Sequence, residues 1–213
     1  MMKFQTMKYT LLIFTCLLSL IACKKSTIES IQTNNTRDSL TYQPKVPGSS
    51  WTYRRTIGGF QNTTFTFRRL TTDTTAYGST FQVFSSDDNT TNNLNQYIRQ
   101  DGNKYYSILT GSTNKPQLLV LDADRNIGES WLGGINGSDT FNYRMKDKLP
   151  TYQLDGFNFK NVLVVTLNRT GPNPAIGDIY YAQGVGQVKS TGTVTVGGIT
   201  VSADVKVLTV DLK

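Results

Sequence analysis

From Trp51 to Leu212 apolar residues recur at every second position in short runs, with turn-forming residues between them. That period puts alternate side chains on opposite faces of an extended strand. Amphipathic stretches of helical period run no longer than two turns. Trp51, Tyr53, Arg55 and Ile57 share one face of a first strand; Phe65 and Phe67 share a face of the next, with Thr64, Thr66 and Arg68 opposite. Further strands are predicted over 80–85, 96–100, 104–109, 117–122, 140–146, 157–168, 178–182, 185–190, 193–196 and 199–212. Asp101-Gly102 and Gly197-Gly198 supply tight turns. The expected fold is all-β: one antiparallel domain over 46–213, curved into a half-barrel or packed as a β-sandwich. The 11 tyrosines and 10 phenylalanines, against 2 tryptophans and 4 methionines, fit strands better than helices.

Phase within the strands says more. Over Phe157 to Leu167, positions 157, 159, 163, 165 and 167 are apolar on one face and Val162 and Val164 on the other, so this strand is expected to be central and covered on both sides. In the last strand Ile199, Val201, Ala203, Val205 and Val207 alternate, and the apolar phase then moves to Leu208, Val210 and Leu212. A one-residue slip of this kind predicts a β-bulge near Val207–Leu208.

A repeat is also visible. Gly48-x-Ser-Trp51 and Gly128-x-Ser-Trp131 lie 80 residues apart. Each is followed by an aromatic pair, Phe65/Phe67 and Phe141/Tyr143, and later by Tyr97 or Tyr180-Tyr181. A duplicated sheet unit would produce this pattern, and so would chance in an aromatic-rich β-protein. Each tryptophan is expected where a strand enters the core, with a partner for its indole N–H.

The first 45 residues differ. Met1 to Lys8 carries Lys3, Lys8 and no acid; Tyr9 to Leu20 is mostly apolar, too short to span a bilayer as a helix, and Ile21, Ala22 and Cys23 follow. This is the pattern of a secretory signal peptide, 1–22. Leu20-Ile21-Ala22-Cys23 resembles the lipobox of bacterial lipoproteins. The resemblance implies lipidation of Cys23, cleavage before it, and a membrane partnership through its acyl chains. Two or three chains make such anchoring stable. Lys24 follows the cysteine, and acidic runs are missing from the residues after it. The implied location is the cell envelope, at the outer membrane facing the periplasm, ahead of the cell surface. Residues 23–45 then hold the lipidated cysteine and a polar tether, expected to be flexible.

The body resembles a group of all-β envelope lipoproteins with no assigned activity. The resemblance rests on Pro44, Gly48 and Trp51, and more specifically on Tyr180-Tyr181-Ala182-x-Gly184-Val185-Gly186-x-Val188-Lys189. It implies an antiparallel β domain and no chemistry. Gly184 and Gly186 are expected to let the strand kink or bulge while Tyr180 and Val188 keep packing.

Composition excludes several functions. The chain has no histidine, and its two cysteines are Cys16, inside the leader, and Cys23. His-based triads, His/Cys zinc sites and a disulfide framework are therefore out of reach. Net charge is +7, and removing residues 1–22 leaves 20 basic and 15 acidic side chains. The charges are dispersed, so nucleic-acid binding is not expected. Asp122, Asp124, Asn126 and Glu129 are similar to the start of a calcium loop, but glycine arrives late, at Gly128, and Gly133 stands where the loop needs Glu. A turn after 118–121 is the preferred reading, and no metal or cofactor is expected. Asp87-Asp88-Asn89 reads as a polar loop. Gly184-x-Gly186 lacks what a phosphate cradle requires.

The tyrosines are the better pointer. Tyr97, Tyr105, Tyr106, Tyr152, Tyr180 and Tyr181 exceed the needs of a small core, and adjacent pairs must face opposite sides of a strand. They form either a cross-strand ladder or a surface for sugar or lipid. The expected function is a non-enzymatic, lipid-anchored binding or interaction module for a lipid, glycan or protein ligand, its binding residues unassigned. The alternative is an envelope polysaccharide hydrolase using paired carboxylates, a separation of about 5–9.5 Å being required.

Overall fold

The computed structural model describes residues 29–30, 41–88, 95–109 and 115–213. The leader and Cys23 lie outside the described residues. Thirteen strands run in order: β1 Glu29–Ser30, β2 Ser50–Ile57, β3 Gln61–Ala76, β4 Ser79–Ser86, β5 Gln96–Asp101, β6 Lys104–Ile108, β7 Gln117–Asp122, β8 Ser130–Asn136, β9 Asp139–Leu154, β10 Phe157–Thr170, β11 Ala175–Ala182, β12 Gly186–Val196 and β13 Ile199–Asp211. Helices are absent among the described residues.

One antiparallel sheet holds β2 to β13 in the order 7-6-5-4-3-2-13-12-11-10-9-8, and β1 adds a short parallel pairing to β10. Two six-stranded meanders, β2–β7 and β8–β13, are thus joined through β2 and β13. Their free edges, β7 and β8, come together: Trp131 Nε1 donates to Leu119 O at 3.0 Å, and a Cβ on Gly133 would lie 3.0 Å from the same oxygen. The sheet therefore curls past the expected half-barrel into a nearly closed barrel, and it is not a sandwich. Closing the edges removes unpaired strand surface.

The sequence repeat marks the meanders. Each Gly-x-Ser-Trp opens the first strand of one half. Gly48 (φ 88°) donates to Arg69 O and Gly128 (φ 91°) to Met145 O, at 2.9 and 2.7 Å. In return Arg69 N reaches Ser49 O and Met145 N reaches Glu129 O, both at 2.9 Å. Trp51 sits opposite Phe67, and Trp131 opposite Tyr143. Tyr97 and Tyr180-Tyr181 fall on the fourth strand of each half.

The predicted bulge is present: pairing of β13 with β2 skips a residue between Val207 and Thr209. A second, at Tyr180/Tyr181, lies across from the glycines of the Tyr180–Lys189 stretch and leaves Val188 as the extra residue, fully buried. Several strands run longer than predicted, β9 and β12 the most. β9 continues through Pro150 to Leu154; beyond Arg144 it has no β8 partner, and an edge tolerates proline. β12 runs unbroken through Gly192, which sits opposite Gly177.

β10 is covered on both faces, but not with the predicted grouping. Leu163 and Val165 join the core of Trp131, Phe141 and Met145. Phe159 belongs with Val162 in the core around Trp51. Asn161, at φ 49°, stands between them and turns the strand. The β9–β10 hairpin folds back over the convex face, where Tyr152 stacks on Tyr180 (4.9 Å) and Asp155 meets Arg54 (3.5 Å). Arg54 shares that face with Lys206 and Lys189 by register, opposite Tyr53.

Candidate functional site

The barrel interior holds a cavity of about 310 Å³. Its wall is built by inward positions of both meanders. β2 and β3 contribute Trp51, Tyr53, Phe65 and Phe67; β5, β6 and β7 contribute Gln96, Ile98, Tyr105, Ser107, Val120 and Leu121; β9, β11, β12 and β13 contribute Tyr143, Ile179, Tyr181, Gln187 and Val205. Tyr42 and Gln43 complete it. The described residues of the lining include no charged side chain.

Adjacent tyrosines divide as strand geometry requires. Tyr105 and Tyr181 line the cavity. Tyr106 lies outside under the Arg99 guanidinium (4.3 Å), and Tyr180 lies between Tyr152 and the Lys189 ammonium (5.4 Å). The outward members are therefore covered by neighbours instead of forming an open aromatic strip.

Three aromatic polar tips on the wall are already engaged. Trp51 Nε1 donates to Val185 O (2.7 Å), and the Tyr53 hydroxyl donates to Gln187 O (2.7 Å). Tyr105 Oη accepts from Tyr42 N at 2.9 Å and lies 3.2 Å from Thr41 Oγ1. Burial pushes the Tyr53 and Tyr143 phenols well above the ordinary tyrosine range. Tyr181 is raised by burial first, then by Tyr143 and Tyr53, and all three line the cavity. All three stay protonated donors at any ordinary pH.

One end of the barrel is closed by residues 41–45, the last five of the predicted tether. Thr41 Oγ1 donates to Gln100 Oε1 (3.0 Å), and Gly184 N donates to Thr41 O (2.6 Å), so the segment bridges β5 to the β11–β12 turn. Pro44 is fully buried and lies against Gly186, whose φ of 98° suits glycine. Polar composition hid this segment; Tyr42, Pro44 and Val46 were the apolar signal for it. The two stretches that carried the lipoprotein resemblance thus meet in space. Pro44 and Trp51 dock on Gly186 and Val185, and Lys189 caps Tyr180.

The acidic candidates separate. Asp122 Oδ2 accepts from Arg125 Nε (2.9 Å), Asp124 Oδ1 from Asn103 Nδ2 (2.7 Å), and Glu129 Oε2 from Asn126 N (2.7 Å). These carboxylates tie local turn groups and do not converge; groups of three or more His, Cys, Asp or Glu suited to a metal are absent among the described residues. Asp88 forms a bidentate pair with Arg55 (2.7 and 2.8 Å), and Asp87 accepts from Thr66 N. Gly184 and Gly186 serve the turn and the docked segment.

No protein-family profile and no curated protein matches the sequence. Among solved structures, a candidate lipoprotein of Parabacteroides distasonis is similar with a TM-score of 0.48 at 9% identity, over 82% of this chain and 100% of its own. A candidate exported protein of Bacteroides fragilis with a YmcC-like fold is similar with a TM-score of 0.50 at 11% identity, over 79% of this chain and 97% of its own. The second likeness bears on architecture: the nearly closed antiparallel barrel described above matches the YmcC-like fold.

Proposed function

We propose that this chain is a lipid-anchored protein of the bacterial cell envelope that binds a small ligand inside its barrel and carries out no chemistry on it. The anchoring part rests on the Leu20–Cys23 lipobox and on the exported character ascribed to the Bacteroides fragilis protein of the same fold. Acyl chains on Cys23 hold it to the membrane, at the outer membrane with the barrel in the periplasm. The binding part rests on one observation, an aromatic-walled cavity without a charged lining residue. Such walls favour ligand burial over acid–base catalysis. Paired-carboxylate hydrolysis gains no support, because the lining has no carboxylate among the described residues.

Native mass spectrometry of the membrane-extracted protein tests the binding reading. A near-stoichiometric mass beyond the acylated chain is expected, lost in Val205→Trp, which fills the cavity. Finding the bare acylated chain alone would overturn it. Fractionation of Cys23→Ala tests the anchor: the variant should be released or remain unprocessed, and tight membrane association would count against lipidation.

A further inference from the structure

Resting on the binding reading above, we infer that the cavity selects an uncharged, mainly hydrocarbon ligand carrying a hydrogen-bond acceptor, for which the Tyr143 and Tyr181 hydroxyls are the donors on offer. Three observations carry this.

The first is electrostatic. The described lining contains no Lys, Arg, Asp or Glu. A carboxylate or ammonium drawn into it would lose water and find no counter-charge. The phenols offer no compensating anion for a cation, because burial holds them protonated.

The second is the state of the polar tips. Trp51, Tyr53 and Tyr105 spend their polar atoms on Val185 O, Gln187 O, and Tyr42 N with Thr41. They present carbon to the cavity. Tyr143 and Tyr181 differ: among the described residues their hydroxyls make no protein hydrogen bond, and both residues line the cavity. Each is a free donor in an uncharged, largely aromatic wall, suited to a carbonyl, ester or ether oxygen.

The third separates hydrocarbon from sugar. Trp51 is only 1% exposed. Tyr53 stacks on Phe65 (5.4 Å), Phe67 on Phe84 (5.1 Å) and Tyr143 on Trp131 (5.7 Å). Each of these rings thus has one face against another ring, and edges and aliphatic groups such as Ile98, Ile179 and Val205 make up much of the remaining wall.

The test uses the full acylated protein in its membrane and three ten-carbon diazirine probes, ending in a methyl ester, a carboxylate and a trimethylammonium group. Photolabelled residues are mapped by mass spectrometry, so partition into the bilayer does not count as binding. The ester should label cavity-wall residues, with the two charged probes about 10-fold or more weaker there. Tyr181→Phe should cut ester labelling of the wall about 3- to 10-fold, while Tyr106→Phe leaves it unchanged. Tyr143→Phe serves as the second variant, and retained thermal melting shows that either still folds. Equal wall labelling by all three probes would leave the binding reading standing and overturn the uncharged class. No wall labelling by any probe would overturn the binding reading itself. Undiminished ester labelling in both folded Tyr→Phe variants would overturn the donor role of these hydroxyls.

Discussion

Along one seam of the barrel β2 and β13 share a ladder of eight residue pairs from Ser50–Asp211 to Ile57–Ala203, and the chain end is fastened by Lys213 N donating to Ser49 Oγ. Along the other, β7 and β8 form no ladder among the described residues; the Trp131 indole bonds to Leu119 O, and two glycines allow close approach. The two tryptophans occupy equivalent places in the repeat, yet one lies beside a closed seam and the other at an open one. Trp51 is 1% exposed and packs on Phe67 and Phe84; Trp131 is 7% exposed and packs on Tyr143. The same local motif therefore does two jobs, filling a core and pinning an edge, according to what the surrounding sheet supplies.

Removing the closed seam should have the largest effect. A chain ending at Ser202 loses Val205, Val207 and every β13 pairing to β2, and circular dichroism should show no cooperative thermal transition. A retained cooperative transition would mean the β2 edge stands without its partner.

The tryptophans give the direct contrast. Trp51→Ala should cost about 3–5 kcal/mol in urea unfolding, because a fully enclosed indole leaves a cavity and Val185 O loses its donor. Trp131→Ala should cost about 1–2 kcal/mol less, since neighbours or water can relax into an open edge. Equal losses would show that the two seams contribute alike.

Gly133→Ala examines the open seam alone. An added Cβ would lie 2.3 Å from Tyr143 Cε2, forcing the ring or the edge to shift. We expect about 1–3 kcal/mol of destabilisation. Gly137→Ala, at the β8–β9 turn, meets no atom within 4 Å and tests instead the strain of a positive φ.

The smallest effect concerns the convex face, away from both seams. Burial raises the Asp178 pKa, but hydrogen bonds from Lys146 (2.6 Å) and Thr166 (2.7 Å) outweigh it and leave the carboxyl below its usual range; Lys146 is raised by the same hydrogen bond. A depressed carboxyl stabilises the fold above its unfolded pKa, and that stability is lost as pH falls through the folded value. A raised ammonium stabilises below its unfolded pKa and loses this as pH rises through the folded value. Lys146→Met should therefore cost under about 1 kcal/mol, Lys146 being half exposed. The melting difference from the parent protein should shrink below about pH 4 and above about pH 10.5. A constant difference across pH would mean that packing, not charge, sets it.

Legibility followed the range of the interaction. The bulge at Leu208 and the split tyrosine pairs were readable because each is a matter of phase within one strand. The span of β9 beyond Lys146 was not, since Pro150 argues against a strand unless the neighbouring position is empty, and β8 stops pairing at Arg144. Thr41 and Tyr42 looked like tether because their partners, Gln100, Tyr105 and Gly184, lie at least 59 residues away along the chain. The tyrosines of the cavity were noticed as a surplus, but their meeting inside one barrel depended on every pairing around it.

Sequence alone was enough for a chain built from strands, for which side chains alternate and for where one strand slips register. These are consequences of a two-residue period and of local turn chemistry. The tertiary structure alone decided that the last strand returns to the first, that the free edges meet, and that the inward aromatics leave a space between them instead of filling it. Curvature and closure come from twist and register summed over twelve strands, and only the sum fixes how far apart the facing walls stand.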